Sequence, residues 1–100
     1  MAGINAVLKA LSNPSRRRVY QLICRAARQK KGITIEALCK ATGFKQPSVS
    51  HHVSRLADAG LVVRRRARWW VHCLPAGDGL DVLGQFVKNP AVFPTDTAGL

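Results

Sequence analysis

Positions 46–68 hold the side chains best suited to chemistry. Gln46, Pro47, Ser48, Ser50, His51, Ser54, Arg55 and Asp58 recur at the spacing of one face of a helix, opposite Val49, Val53 and Leu56. These outward side chains are mostly short or flexible hydrogen bonders, so the helix backbone can come close to the edges of base pairs. Gln46 and Ser48 stand at the amino end of that helix, where free backbone N–H groups meet a phosphate. Arg55 suits a guanine edge or a phosphate. Asp58 faces the same way and repels phosphate, so the contact face is expected to end near Arg55. Just beyond, Arg64, Arg65, Arg66 and Arg68 fall within five positions. If this stretch is extended, Arg64 and Arg66 share one face and Arg65 takes the other. Arg66 and Arg68 then lie near a tip that reaches backbone phosphates or a minor groove.

Other reactive residues give weaker patterns. His51 and His52 are neighbours, and neighbours on a helix point about 100° apart, too far to chelate one ion together. His52 falls at the border of the apolar stripe and reads as a core-edge ring; His51 is the better contact candidate. Cys24, Cys39 and Cys73 are odd in number and lack CxxC spacing, which fits a reducing cytoplasm. Each reads as a small apolar filler. Cys73 beside His72 is the only adjacent pair of soft ligands. No paired carboxylates, phosphate-binding glycine loop or nucleophile with a base stand out, so enzymatic activity is not expected, nor is a cofactor.

The elements that must position this face follow from periodicity and caps. Ile4, Val7, Leu8 and Leu11 share one helical face. Asn13 can cap a second helix, with Pro14 in its first turn. That helix buries Val19, Leu22, Ile23 and Ala26 and carries a ridge of Arg16, Arg17, Arg18, Arg25 and Arg28. Lys30-Lys31-Gly32 is expected to end it. Thr34 can cap a short third helix with Ile35, Leu38 and Ala41, closed by Gly43. The fourth helix opens at Gln46-Pro47-Ser48 and closes at Gly60, a position suited to a left-handed backbone.

The period then changes. Residues 61–66 and 69–74 are rich in β-branched and aromatic side chains, and Ala67-Arg68 between them predicts a hairpin. Trp69 and Trp70 should point to opposite faces; one is expected to pack on the helices, with core packing favoured for Trp70. Asp78 can cap a last helix bearing Leu80, Leu83, Phe86 and Val87. The fold expected is mainly α with a small β-hairpin, a winged helix-turn-helix in the order α-α-α-α-β-β-α. Residues 1–88 form one domain, and 89–100 an irregular tail.

Charge supports the same partner. The 100-residue chain carries a net charge of +11. Residues 1–72 hold fifteen of the sixteen basic side chains against Glu36 and Asp58, a balance of +13; residues 73–100 hold Lys88 against Asp78, Asp81 and Asp96. A field this lopsided favours nucleic acid or an anionic surface, though basic side chains can also merely solvate a surface. The longest apolar runs fall far short of the ~20 residues that span a bilayer, and the amino-terminal segment lacks the pattern of a signal peptide. A thin core in a chain this short would gain from a dimer.

The stretches LKALSNPSRRRVYQLI and TIEALCKATGFKQPSVSHHVSRLADAGLVVRRRARWWVHCL resemble the ArsR/SmtB family of winged-helix repressors over roughly residues 4–74. The most specific pieces are Asn13-Pro14-Ser15-Arg16, the run from Gln46 to Val53, and Leu56 with Ala59-Gly60-Leu61-Val62. The resemblance implies a homodimer joined through the first and last helices, a fourth helix that reads operator DNA, and, in many members, release of DNA on binding a metal. This chain has Thr34 and Glu36 where metal-sensing members place cysteines, and no histidine or cysteine from Asp78 to Lys88. Its wing lacks the usual tip glycine, and its last helix is short. The expectation is a cytoplasmic, sequence-specific regulator of transcription that binds double-stranded DNA, a homodimeric repressor acting by operator occlusion without the family's metal sites. Two further readings are kept: a non-specific or architectural nucleic-acid binder, and a protein–protein adaptor that turns its winged helix to a partner.

Overall fold

A computed structural model describes residues 3–92. The elements run α1 (Ile4–Ser12), α2 (Pro14–Arg28), β1 (Ile33–Thr34), α3 (Ile35–Thr42), α4 (Gln46–Asp58), β2 (Val62–Ala67), β3 (Trp70–Pro75) and α5 (Gly77–Lys88). A single 3-10 turn at Pro90–Val92 follows, so the expected irregular tail begins with a short ordered piece; residues 93–100 lie outside those described. The mainly helical winged helix-turn-helix is as expected, with one addition. β1 pairs antiparallel with β3, joining Ile33 to Cys73 and Thr34 to His72, so the hairpin belongs to a three-stranded sheet in the order β1-β3-β2.

Local chemistry explains most boundaries. The Arg16 backbone N–H donates to Asn13 Oδ1 at 3.0 Å, capping α2, with Pro14 in the first turn where its missing N–H costs nothing. The Ala37 N–H donates to Thr34 Oγ1 at 3.1 Å, capping α3. Gly43 at φ 76° and Gly60 at φ 75° take the left-handed turns that end α3 and follow α4.

Two caps differ from expectation. α2 ends at Arg28, just before the expected Lys30-Lys31-Gly32, and Lys30 takes the left-handed conformation at φ 59°. The N–H groups of Lys30 and Lys31 donate back to Ala27 and Ala26, which holds the turn. Gly32 serves a different need: a Cβ there would meet His72 Cβ at 3.0 Å, so its smallness lets the chain enter the sheet. Asp78 does not cap α5. That helix starts at Gly77 after Ala76, and no side chain caps it. Its free amides are taken instead by the turn after α4: Ala76 N–H donates to the Leu61 carbonyl at 2.9 Å, and Gly79 N–H to the Gly60 carbonyl at 2.7 Å.

The core lies where α1, α2, α3, α4 and the base of the hairpin meet. Val7, Val19, Ile23, Leu38, Val49, Val53, Leu56, Leu61 and Cys73 have no exposure. α1 contributes Val7 and Ala10 to this core, while Leu8, expected on its buried face, is 41% exposed. α1 also packs against α5, whose Leu80 and Val87 remain exposed. Together these two helices carry an apolar surface that the protomer leaves open.

Candidate nucleic-acid interface

α3, the turn at Gly43–Lys45 and α4 form the helix-turn-helix. The turn is pinned from within: Thr42 Oγ1 donates to the Leu38 carbonyl at 2.7 Å and accepts from the Phe44 N–H at 3.1 Å. The other side of α4 sinks Val49, Val53 and Leu56 completely into the core. Its roll is thereby fixed. Gln46, Pro47, Ser48, His51 and Arg55 are exposed, and Ser50 and Ser54 half-buried. The outward face read from helical spacing is thus the face the fold leaves open. Lys45, just ahead of α4, adds an exposed cation beside the free amides of its first turn, where no side-chain cap competes for an anion.

His52 sits at the edge of that face. Its ring lies 6.3 Å from Phe44 in an edge-to-face arrangement. Burial above all, and then the charges of Arg16 and His51, lower its pKa below the ordinary 6.5. The ring therefore favours the neutral state and serves packing, as its place on the stripe implies.

Arg55 behaves differently from the rest of the face. It forms an ion pair with Asp58 at 3.8 Å, with both side chains more than half exposed. The two border an open hollow of about 340 Å³ shared with Lys9 and Arg16. Asp58 thus does more than mark an edge, because it holds the Arg55 guanidinium toward the α1 side. A surface pair of this kind is worth little and opens easily, so Arg55 can still turn to a phosphate.

The wing is tied to the helix. Arg64 Nη1 donates to Ser54 Oγ at 3.1 Å. In the β2–β3 register Arg64 faces Cys73 and Arg66 faces Val71, both on the side turned to α4; Arg65 faces His72 on the opposite side. The alternation expected of Arg64, Arg65 and Arg66 holds, and the structure brings Arg64 to α4. Arg66 lies farther out on the same face. The turn falls one residue later than expected: Ala67 pairs with Trp70, leaving Arg68 and Trp69 at the tip, with Arg68 at φ 58°.

Neither tryptophan packs in the core. Trp69 is 87% exposed and Trp70 50%. The expectation of core packing for Trp70 fails because the register pairs it with Ala67 beside the tip, on the sheet face of Arg65 and His72 and opposite that of Cys73, which enters the core. The aromatic, β-branched composition marked a strand without saying how far the hairpin would project.

Two features of the basic ridge were hidden in the sequence. Arg18 Nη2 donates to the Ala41 carbonyl at 3.3 Å, closing the carboxyl end of α3. Arg16 has its Nε buried without a hydrogen-bond partner among the described residues. Of the cysteines, Cys73 is wholly buried, and burial pushes its pKa up to about 11 against an opposing pull from Arg64. Cys24 and Cys39 are half-buried against the core. Among the described residues, no three His, Cys, Asp or Glu side chains gather where they could hold a metal ion. No helix there is long and apolar enough to cross a membrane.

Comparison with known proteins supports this geometry. A family model described as a helix-turn-helix domain matches residues 11–65. A curated relative in Halobacterium salinarum, "Putative arsenical resistance operon repressor ArsR2", is 38% identical over 69 residues, covering 69% of this chain and 56% of the relative. The chain therefore spans about half the length of that relative. Among solved structures, a homodimeric winged helix-turn-helix DNA-binding domain from Mycobacterium bovis, described as a possible ArsR-family transcriptional regulator, aligns with a TM-score of 0.67. It is 27% identical, and the alignment covers 89% of this chain and 81% of that one. An ArsR-like transcriptional regulator from Rhodococcus sp. RHA1 aligns with a TM-score of 0.73 at 18% identity, covering 88% of this chain and 79% of that one, a likeness of fold.

Proposed function

Because the chain belongs to the helix-turn-helix domain family, with the winged form of the ArsR group, we propose that it is a homodimeric repressor that blocks transcription by occupying an operator in double-stranded DNA. The observation that carries this reading is the α4 face. Core residues fix the roll of the helix, and what remains outward is a row of short hydrogen bonders from Gln46 to Ser54 beside an arginine-rich wing. Charge alone would support non-specific binding equally well, but a charge-only binder has no need of such a face.

In this reading Gln46, Pro47, Ser48, Ser50 and His51 approach base edges. Ser54 and Arg64 act as a coupled pair that sets the angle of wing to helix. Arg55, Arg66 and Arg68 neutralise phosphates. The dimer forms through the apolar surface of α1 and α5, so that two α4 helices enter successive major grooves about one helical turn apart. The open Leu8, Leu80 and Val87 support that placement. Residues 1–88 are the DNA-binding and dimerising unit, and residues 89–100 a tail. The protein acts in the cytoplasm and has no enzymatic activity of its own.

The family's metal switch is not part of the proposal. Thr34, at the entry to α3, is committed to capping that helix, and Glu36 is exposed in its first turn. Selection of bound sequences from random duplex DNA, with the oligomeric state measured alongside, tests the reading. A palindrome recovered by a dimer is expected; recovery of no preferred sequence sinks the specific-repressor claim.

A further inference from the structure

We propose that Trp69 is a stacking wedge: the wing tip enters the minor groove of duplex DNA and the indole unstacks a base step there. The inference rests on the DNA-binding reading above and adds an activity to it, deformation of the bound duplex. Trp69 is the most exposed large apolar side chain among the described residues, at 87%. It sits at the outermost point of the hairpin, next to the left-handed Arg68. An indole held in water this way buries little in the protomer and contributes nothing to its core.

The setting selects the partner. Four guanidinium groups, on Arg64, Arg65, Arg66 and Arg68, precede the indole within six positions, and no acidic side chain occurs between Asp58 and Asp78. The tip therefore fits a polyanion that also offers flat apolar faces. Nucleic acid has both, with phosphates outside and stacked bases inside. Anionic lipid offers charge and an interface, but the geometry favours DNA. Arg64 binds Ser54 of α4 at 3.1 Å, which directs the wing to the same side as the recognition face. With Arg66 and Arg68 on flanking phosphates, Trp69 is the side chain left to enter the groove.

Apolar wedges of this kind open a base step and kink the helix. Steps that deform easily, such as TA or CA, lower the cost. The wing would thus select a flexible step at a fixed distance from the α4 half-site without any hydrogen bond to a base.

The chain carries its own probe, since both of its tryptophans lie at this tip. The experiment compares wild-type protein, Trp69→Phe and Trp69→Ala on one duplex taken from the selection, reading tryptophan emission, affinity across salt concentrations, and bending by energy transfer between the duplex ends. Because Trp69 packs against nothing in the core, the variants should fold normally, and circular dichroism checks this. Wild-type emission is expected to be quenched on binding. Trp69→Ala is expected to lose about tenfold in affinity and most of the bend, while the salt slope stays unchanged because no charge is removed. Trp69→Phe should retain most of both. A rigid A-tract placed under the wing should lower wild-type affinity and leave Trp69→Ala unaffected.

Equal affinity and bend for wild type and Trp69→Ala overturn the wedge and leave the repressor reading intact. Failure of the wild type to bind any duplex overturns the repressor reading itself. An emission change with anionic vesicles but none with duplex overturns the wedge in favour of a membrane contact.

Discussion

Replacement of Gly79 by alanine should damage this protein far more than its chemistry suggests. Gly79 lies in the first turn of α5, pressed against the turn that follows α4. A methyl group there would sit 2.8 Å from Leu61 Cδ2 and 2.9 Å from both the carbonyl carbon and oxygen of Gly60, where ordinary contact starts near 3.4 Å. Leu61 could swing aside, but the Gly60 backbone cannot. α5 must therefore retreat by about half an ångström, stretching the 2.7 Å bond from Gly79 N–H to the Gly60 carbonyl. Overpacking of this kind costs about 1–3 kcal/mol, and weakening the hydrogen bond adds up to ~1 kcal/mol. Alanine's helix preference returns up to ~1 kcal/mol. The net is a destabilisation of about 2 kcal/mol, which in a domain of this size lowers Tm by roughly 10 °C. Thermal unfolding of wild type and variant at equal protein concentration reads it. Gly77→Ala is the control: Gly77 opens the same helix, its nearest neighbour for a Cβ is Asp81 at 3.8 Å, and little change is expected. A Gly79→Ala protein as stable as wild type would refute the claim that α5 is seated on the turn after α4.

Three further outcomes follow from the geometry. Val87→Asp alters a side chain 72% exposed in α5, so the protomer should fold with a stability change within about 0.5 kcal/mol; under the proposed dimer, analytical ultracentrifugation is expected to show dimers for the wild type and monomers for the variant, and an unchanged dimer would move the interface elsewhere. His52 has a lowered pKa in the folded chain, so the unfolded chain takes up its proton at a higher pH. Its contribution is complete above pH 6.5 and is lost as pH falls below that value toward the folded pKa; Tm should fall in this window, and His52→Gln should flatten the fall. Cys73, buried and raised to about 11, should resist thiol reagents at pH 8 in the native protein and react once it is unfolded; rapid native labelling mapped to Cys73 by mass spectrometry would contradict its placement.

The legible features were those decided locally. The caps at Asn13 and Thr34 involve a side chain and an amide three residues on, so the sequence shows both partners. The exposed face of α4 follows from Val49, Val53 and Leu56 alone, since a helix with one buried stripe has one open side. The less legible features depend on distant neighbours. β1 is two residues long and exists only because β3 lies beside it. The start of α5 is held by the carbonyls of Gly60 and Leu61, far back in the chain, which made Asp78 look necessary when it was not. The wing turn shifted by one residue because Arg68, with no glycine or asparagine to mark the spot, takes the left-handed position. That shift decides the fate of the tryptophans. Their bulk suggested burial, and the register instead puts Trp69 in the turn and Trp70 on the sheet face opposite Cys73, where both stay exposed.

In the proposed complex α4 reads base edges while the wing's arginines supply affinity. The most direct measurement is the Kd for the selected palindrome and for a scrambled duplex of equal length, taken across salt concentrations for wild type, His51→Ala and the Arg66→Ala/Arg68→Ala double variant. The wild type is expected to prefer the palindrome by about 10³ or more. His51→Ala should narrow that preference with the salt slope unchanged. The double variant should weaken binding to both duplexes alike and make the slope shallower by about 0.9 for each phosphate no longer neutralised. Equal wild-type affinity for the two duplexes, or a double variant that loses preference while keeping its slope, would contradict it.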